Sequence, residues 1–370
     1  MNAPAPMLPL VQPWLGPECA DAVRDQIVTG FLGPGKATAA FGARLAEIAG
    51  IAHGVPTVSG TVALTVAAKA LGLEPGDEIL VPAYGVISTI NAFTSVGLVP
   101  RLVEIDFATG CIDVAQLKAR LTPKTKAVCF VDFSGHTGQV LVEVAAFCRE
   151  QGLPLIEDAA CALGQHFEGR NAGSFGTIGC LSFSVAKVMT TGQGGAVLTQ
   201  DKALADKAAC WIDHGDPDWR QTNTHRHIGT NLRFNDILAS FGLSQLQTLD
   251  QRLERKRAAF AALREELDGY LFTVPGGEAP LHNIVFADEP AALVRDLRAQ
   301  GIGAAQQYRF LANNPVYAHL GGEGFDNSRR WEAQAVYLPF GLGLMQEDGR
   351  RIGHSVRATG HRLHRVRSGN

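Results

Sequence analysis

The sequence predicts an α/β fold built on a mostly parallel sheet, and three observations carry that reading. Short, near-continuous apolar runs recur between residues 78 and 200, as strands covered on both faces require. Helical patterns alternate with them, and strand–helix alternation implies parallel pairing. The chain has 370 residues, beyond the roughly 250–300 at which a single core stops growing, so two domains are expected.

The expected strands, in order, are EILVPA (78–83), VPRLVEID (99–106), AVCFVDF (127–133), LPLIEDA (153–159), IGCLSFS (178–184) and GAVLTQ (195–200). Helical spacing marks TVALTVAAKALGL (61–73), which follows Gly60, and VEVAAFCREQGL (142–153), which ends at a glycine. From Asn235 to about Tyr270 apolar residues recur at helical intervals, with charges clustered late. This reads as one long helix or a bent pair. LFTV, HNIVFAD, the helical EPAALVRDLRAQGI and GAAQQY then form a smaller α/β pattern. The division is placed at 1–245 and 246–370, with the long helix bridging the two parts. The basic end, RRIGHSVRATGHRLHRVRSGN, reads as the solvated face of a last helix plus a frayed tail.

Lys plus Arg number 33 and Asp plus Glu 36, for a net charge of −3. So even a balance offers no electrostatic footprint for nucleic acid. No stretch supplies the roughly 18 apolar residues of a membrane span. The opening MNAPAPMLPLVQPW lacks the basic flank and long apolar stretch of a signal peptide. Seven scattered cysteines argue for reduced thiols and against a disulfide framework or a zinc site. A cytoplasmic protein without a metal centre is expected. There is no G-x-G-x-x-G after a strand and no Walker-type loop. His225-Arg226-His227 lacks metal-ligand spacing, and His53, His136, His166, His214 and His282 show no partner pattern.

In open α/β sheets ligands sit at the carboxyl ends of strands, and three segments stand out there. Ser59-Gly60-Thr61 opens an Ala/Leu-rich helix. Its free N–H groups and helix dipole suit a phosphate, although the segment also reads as a plain Ser/Thr N-cap. Glu157-Asp158 closes an apolar strand. A carboxylate buried at that edge needs a cation or several hydrogen bonds, unless it simply caps the next turn. Lys187 follows the strand ending at Ser182-Phe183-Ser184 and precedes the Gly-rich turn Gly192-Gln193-Gly194-Gly195. A lysine in an apolar cleft can lose its proton and attack an aldehyde; a lone lysine there also reads as an exposed loop residue. Together the three are the anchors that pyridoxal phosphate needs. The cradle takes the phosphate, Asp158 keeps the ring nitrogen protonated, and Lys187 bonds covalently as a Schiff base.

The chain resembles the DegT/DnrJ/StrS family of sugar aminotransferases, which have the aspartate aminotransferase-like fold type I. The resemblance rests on GFLGPGK, SGTVALTVAAKALGLEPGDEILVPA, LVEIDFATGCIDVAQLKARLTPKTKAV, IEDAACALG, SFSVAKVMTTGQGGAVLT, GTNLRFNDILASFGLSQL and LPFGLGL. It covers most of the chain and is weakest in the C-terminal third. It implies a large domain with a mostly parallel seven-stranded sheet flanked by helices, and a smaller C-terminal α/β domain. It implies transfer of an amino group, expected from L-glutamate, to a keto sugar expected to be nucleotide-linked, in amino-sugar biosynthesis.

The resemblance also implies roles by residue. Lys187 anchors the cofactor and shuttles the proton, and Asp158 pairs with the pyridinium. Gly60, Thr61 and the Ser182 hydroxyl hold the phosphate. Asn231 reaches across a homodimer interface to the partner subunit's phosphate, so that the active sites are shared. Arg233 is a candidate for a substrate or donor carboxylate, although helix start and surface charge also describe the Asn231–Arg233 stretch. Tyr84 and Tyr308 are candidates to face the substrate.

The sequence also departs from the family. Val86 stands where an aromatic residue usually stacks on the cofactor ring, and Cys161 where Gln or His usually neighbours the phenolic oxygen. Gln193, Val188 and Phe234 replace the common Glu, Asn and Met. These departures motivate an alternative use of the same pocket, a sugar dehydratase or a non-transaminating sensory protein. The dehydrating subgroup replaces the lysine by His, and Lys187 argues against it.

Overall fold

The computed structural model describes residues 6–136, 138–273 and 279–366. Seven strands form the main sheet: β1 (His53–Thr57), β2 (Glu78–Pro82), β3 (Val99–Val103), β4 (Thr125–Val131), β5 (Leu155–Asp158), β6 (Ile178–Ser182) and β7 (Gly195–Thr199). Their order across the sheet is β1-β7-β6-β5-β4-β2-β3. β3, β2, β4, β5 and β6 pair in parallel, while β7 runs antiparallel to both β6 and β1.

Six of these strands coincide with the expected runs, trimmed by a few residues. β1 is not among those runs. Its sequence HGVPT carries a Gly and a Pro, which argue against a strand interior. β7 is the one strand beside β1 in the sheet order, so β1 is an edge strand, where a proline is tolerated.

The apolar runs divide by period two between the two faces. Ile79, Val81, Ala127 and Cys129 pack on one side, against the helices Gly60–Ala70 and Ile87–Thr94. Leu80, Val128 and Phe130 pack on the other, against Leu141, Val144 and Cys148 of the helix Gln139–Gln151. Cys129 and Cys180 are fully buried, as small core residues are. Burying one such Leu or Phe side chain contributes roughly 1.5–3 kcal/mol. The Gln139–Gln151 helix stops at Gly152, whose φ of 66° suits glycine.

The long helical stretch resolves into two helices, Asp236–Leu246 and Leu249–Glu266, with the break at Gln247-Thr248. Beyond it, β8 (Asn283–Phe286) pairs antiparallel with β9 (Ala335–Leu338). Helices Pro290–Ala299 and Gln346–Ala358 pack there around Leu263, Leu293, Leu297 and Ile352. GAAQQY (303–308) is not a strand; Ala305 makes a single bridge to Tyr337. The next two residues, Arg309–Phe310, pair with Tyr84–Gly85. In LFTV, Leu271 bridges Val285, and Val274 lies outside the described residues, as do residues 367–370 of the expected tail. Among the described residues no helix is long and apolar enough to cross a membrane.

Candidate active site

The carboxyl ends of β4, β5 and β6 open onto one cavity of about 390 Å³. β1 points the same way, because β7 is antiparallel to both β1 and β6. The chain leaving β1 turns at Ser59 into the helix Gly60–Ala70. The Ser59 hydroxyl caps that helix by accepting the Val62 N–H at 3.2 Å. The N–H groups of Gly60 and Thr61 lie at the helix start beside the cavity, where the dipole favours an anion.

Two glycines make this corner possible. A Cβ on Gly60 would stand 2.7 Å from the Ser182 Cβ, and one on Gly195 2.5 Å from the Ser59 carbonyl carbon. The Ser182 hydroxyl is therefore brought against the same helix start.

Asp158 ends β5 and is 5% exposed. Its Oδ2 accepts from the Thr89 hydroxyl at 2.9 Å, and its Oδ1 from the Ala160 N–H at 3.2 Å. Burial raises the carboxyl above its ordinary range, while the Thr89 bond, the Lys187 charge and the Ala160 N–H hold it down. Neighbouring Glu157 points to the opposite face. It accepts N–H groups from Gly173, Phe175 and Gly176 at 2.5–2.8 Å, tying the 173–176 turn to the sheet.

Lys187 lies in the turn region between β6 and β7, its N–H bonded to the Ser184 carbonyl at 3.0 Å. Its Nζ donates to the Cys161 Sγ at 3.1 Å. Val86 caps the helix Ile87–Thr94 and lines the cavity, as does Tyr308 from the C-terminal part.

The structure thus brings together Lys187, Asp158, Gly60, Thr61, Ser182, Cys161, Val86 and Tyr308. It places three expected residues elsewhere. Tyr84 does not line the cavity: it is 1% exposed, tilted against Trp331 and Phe133, with its hydroxyl 3.1 Å from that of Tyr337. Alternation along Ala83–Gly85 sends its ring to the core face with Leu80 and Val128. Asn231 is exposed and accepts from Arg233 Nε at 3.0 Å. Arg233 pairs with Asp213 at 2.9 Å. Neither lines this cavity.

Thr89, Ser88 and Gln307 line the cavity without having been marked by the sequence. Thr89 lies three residues after Val86 on the first helical turn, so helical spacing from Val86 could have found it.

The donor set fits pyridoxal phosphate. An anion seat, a buried carboxyl and a primary amine share one cavity, and any side chain at position 60 would fill the space beside Ser182.

The model of the DegT/DnrJ/EryC1/StrS aminotransferase family matches residues 14–357. The chain belongs to that family. It is 32% identical to the UDP-N-acetyl-3-dehydro-alpha-D-glucosamine 3-aminotransferase of Acidithiobacillus ferrooxidans, over 92% of this chain and 95% of that one. It is 34% identical to the L-glutamine:2-deoxy-scyllo-inosose aminotransferase of Streptoalloteichus tenebrarius, over 78% and 74% of the two. Among solved structures, the aminotransferase TlmJ from Streptoalloteichus hindustanus superposes with a TM-score of 0.88 at 30% identity, covering 95% of this chain and 98% of that one. In this aminotransferase family the seven-stranded α/β architecture described above is the expected fold type I.

Proposed function

We propose that this family member uses pyridoxal phosphate to move an amino group from L-glutamate or L-glutamine onto the carbonyl of a keto sugar, the sugar carried on a nucleotide. The convergence of Lys187, Asp158 and the Ser59–Thr61 helix start on one cavity supports the reading. So do relatives named for a UDP-linked keto sugar and for an L-glutamine donor.

When bound, the cofactor supplies an electron-accepting ring that stabilises negative charge at the donor's α-carbon. The protein's residues do the rest. Lys187 Nζ holds the cofactor and, once displaced, takes a proton in one half of the cycle and returns it in the other. Asp158, anchored by Thr89 and Ala160, keeps the ring nitrogen's proton in place. Gly60, Thr61 and Ser182 seat the phosphate. Cys161 stands by the phenolic oxygen, and Val86 supplies an aliphatic ring contact. Asn231, outside its own chain's cavity, serves the partner subunit's phosphate in a homodimer, and Arg233 is the candidate for a substrate or donor carboxylate. The parts 1–245 and 246–370 are the two domains, and seven free thiols suit the cytoplasm.

Protein reconstituted with pyridoxal phosphate should absorb visible light, and borohydride should fix the label on Lys187. Label on another residue overturns the assignment. L-Glutamate or L-glutamine should bleach the visible band. One observation favours a second reading, a dehydratase or sensory use: an aliphatic Val86 lines the cavity where the resemblance leads one to expect an aromatic residue. Loss of no colour with any amino donor would favour that reading.

A further inference from the structure

His282 has no role in the chemistry above, yet it is buried one hydrogen bond away from the cavity. It is 1% exposed and packs among Phe340, Tyr337, Tyr308 and Phe133, at ring-centroid distances of 4.7 to 6.4 Å. Both ring nitrogens are engaged. Nδ1 lies 3.2 Å from the Ser134 hydroxyl, and Nε2 lies 3.1 Å from the Tyr308 hydroxyl. Tyr308 in turn lines the cavity that holds Lys187 and Asp158.

Ser134 anchors this chain of contacts. It is fully buried just past β4 with φ of 57°, a left-handed conformation uncommon for a residue bearing a Cβ. Its carbonyl accepts the Leu281 N–H, and its hydroxyl accepts the His282 N–H at 3.0 Å. The loop after β4 is thereby bolted to the segment that enters β8.

The partners are consistent with one set of protons. Burial and the nearby Lys187 and Lys256 charges push the His282 pKa well down, so the ring is neutral and carries a single N–H. Of the two tautomers that these distances admit, the one adopted in the proposal below has Ser134 Oγ accept the His282 main-chain N–H and give its own proton to Nδ1. The ring proton then sits on Nε2 and is donated to the Tyr308 oxygen. Gln307 Nε2 donates to that same oxygen at 3.2 Å. With both lone pairs taken, the Tyr308 O–H has its proton left for a ligand oxygen.

We propose that His282 is a positioning residue that holds the Tyr308 hydroxyl as a hydrogen-bond donor to an oxygen of the substrate bound in the Lys187 cavity. The role deepens the aminotransferase reading and rests on it.

The test uses reconstituted holoenzyme and single turnover with L-glutamate, followed by loss of visible absorbance. In His282→Gln the amide reaches the place of Nε2 and keeps the bond to Tyr308. In His282→Asn the amide reaches only the place of Nδ1 and keeps the bond to Ser134. H282Q should stay within about twofold of the wild type, and H282N should weaken apparent donor affinity about tenfold, the size of one hydrogen bond. On a Tyr308→Phe background H282N should cost nothing further. H282N behaving as wild type, or full additivity with Y308F, overturns the proposal and leaves His282 a core residue.

Should both His282 variants fail to fold, 15N-histidine NMR of the wild type and Y308F decides. The His282 Nε2 resonance should report a protonated nitrogen and shift on loss of the Tyr308 hydroxyl; an unprotonated Nε2 or no shift overturns the proposal. Wild-type protein that L-glutamate and L-glutamine both leave coloured would sink the aminotransferase reading instead, and the resonance arm tells the two failures apart.

Discussion

The amine of Lys187 donates a hydrogen bond to the thiol of Cys161 at 3.1 Å, so the two strongest nucleophiles of the cavity touch each other. Cys161 is buried from bulk solvent but lines the cavity, which makes it reachable by a small reagent. In cofactor-free protein iodoacetamide should label Cys161, and pyridoxal phosphate should slow that labelling at least about tenfold by filling the space. Half-buried Cys210, which does not line the cavity, serves as the reference and should label equally in both states. Peptide mass mapping reads the result, and equal labelling of Cys161 with and without cofactor would count against the assigned cofactor position.

Asp158→Asn should separate stability from function. Burial raises the Asp158 carboxyl above its ordinary range. Between the ordinary value and the raised one, the folded chain holds a proton that the unfolded chain has released. Stability therefore falls as pH climbs through that window. The neutral amide escapes this cost. Cofactor-free D158N should melt about 1–2 °C above the wild type at pH 8, and the gap should close as pH drops below the window. Cofactor affinity should fall about 10–100-fold with loss of the charge-assisted bond. A scanning melt across pH and an absorbance titration check both halves.

Thr89→Val should act on the same carboxylate from behind. It removes the 2.9 Å bond to Oδ2 and changes little volume. The expected outcome is about five- to tenfold weaker cofactor binding with an unchanged fold. Wild-type affinity in T89V would show that Thr89 does not orient Asp158.

Gly60→Ala places a Cβ 2.7 Å from that of Ser182 and should cost about 1–3 kcal/mol of stability as well as the phosphate seat. Combining it with Ser182→Gly relieves the clash but removes the hydroxyl. Denaturant melts should show stability restored in the double variant, while an absorbance titration shows cofactor affinity still low.

Glu157→Gln should destabilise by about 2–3 kcal/mol, because a carboxylate accepting three main-chain N–H groups becomes an amide with one acceptor oxygen. Glu157 faces away from the cavity, so turnover per folded molecule should be unchanged. A specific activity that falls in parallel with stability would contradict the split between the two neighbouring carboxylates.

The strands covered on both faces were legible because Val, Ile and Leu crowd them, and Asp158 and Lys187 stood out against those apolar runs. HGVPT was not legible as a strand: its Gly and Pro are tolerated only because the pairing order leaves it at an edge. Tyr84 reads as a candidate to face the substrate, but strand alternation puts it on the core face with Leu80; that alternation ends at Gly85, and Val86, already the N-cap of the next helix, turns to the cavity instead. Gln307 and His282 were silent for a different reason. Their positions depend on contacts between segments more than 140 residues apart, such as Ser134 with His282, which no local pattern encodes.

The two-residue pairing of Arg309–Phe310 with Tyr84–Gly85 has a mechanical consequence. It stitches the C-terminal third to the backbone immediately before Val86, and Tyr308 is the residue immediately before that stitch. Because Val86 and Tyr308 both line the Lys187 cavity, the stitch fixes the spacing of two of its walls, and a compound lodged between them would act on both at once.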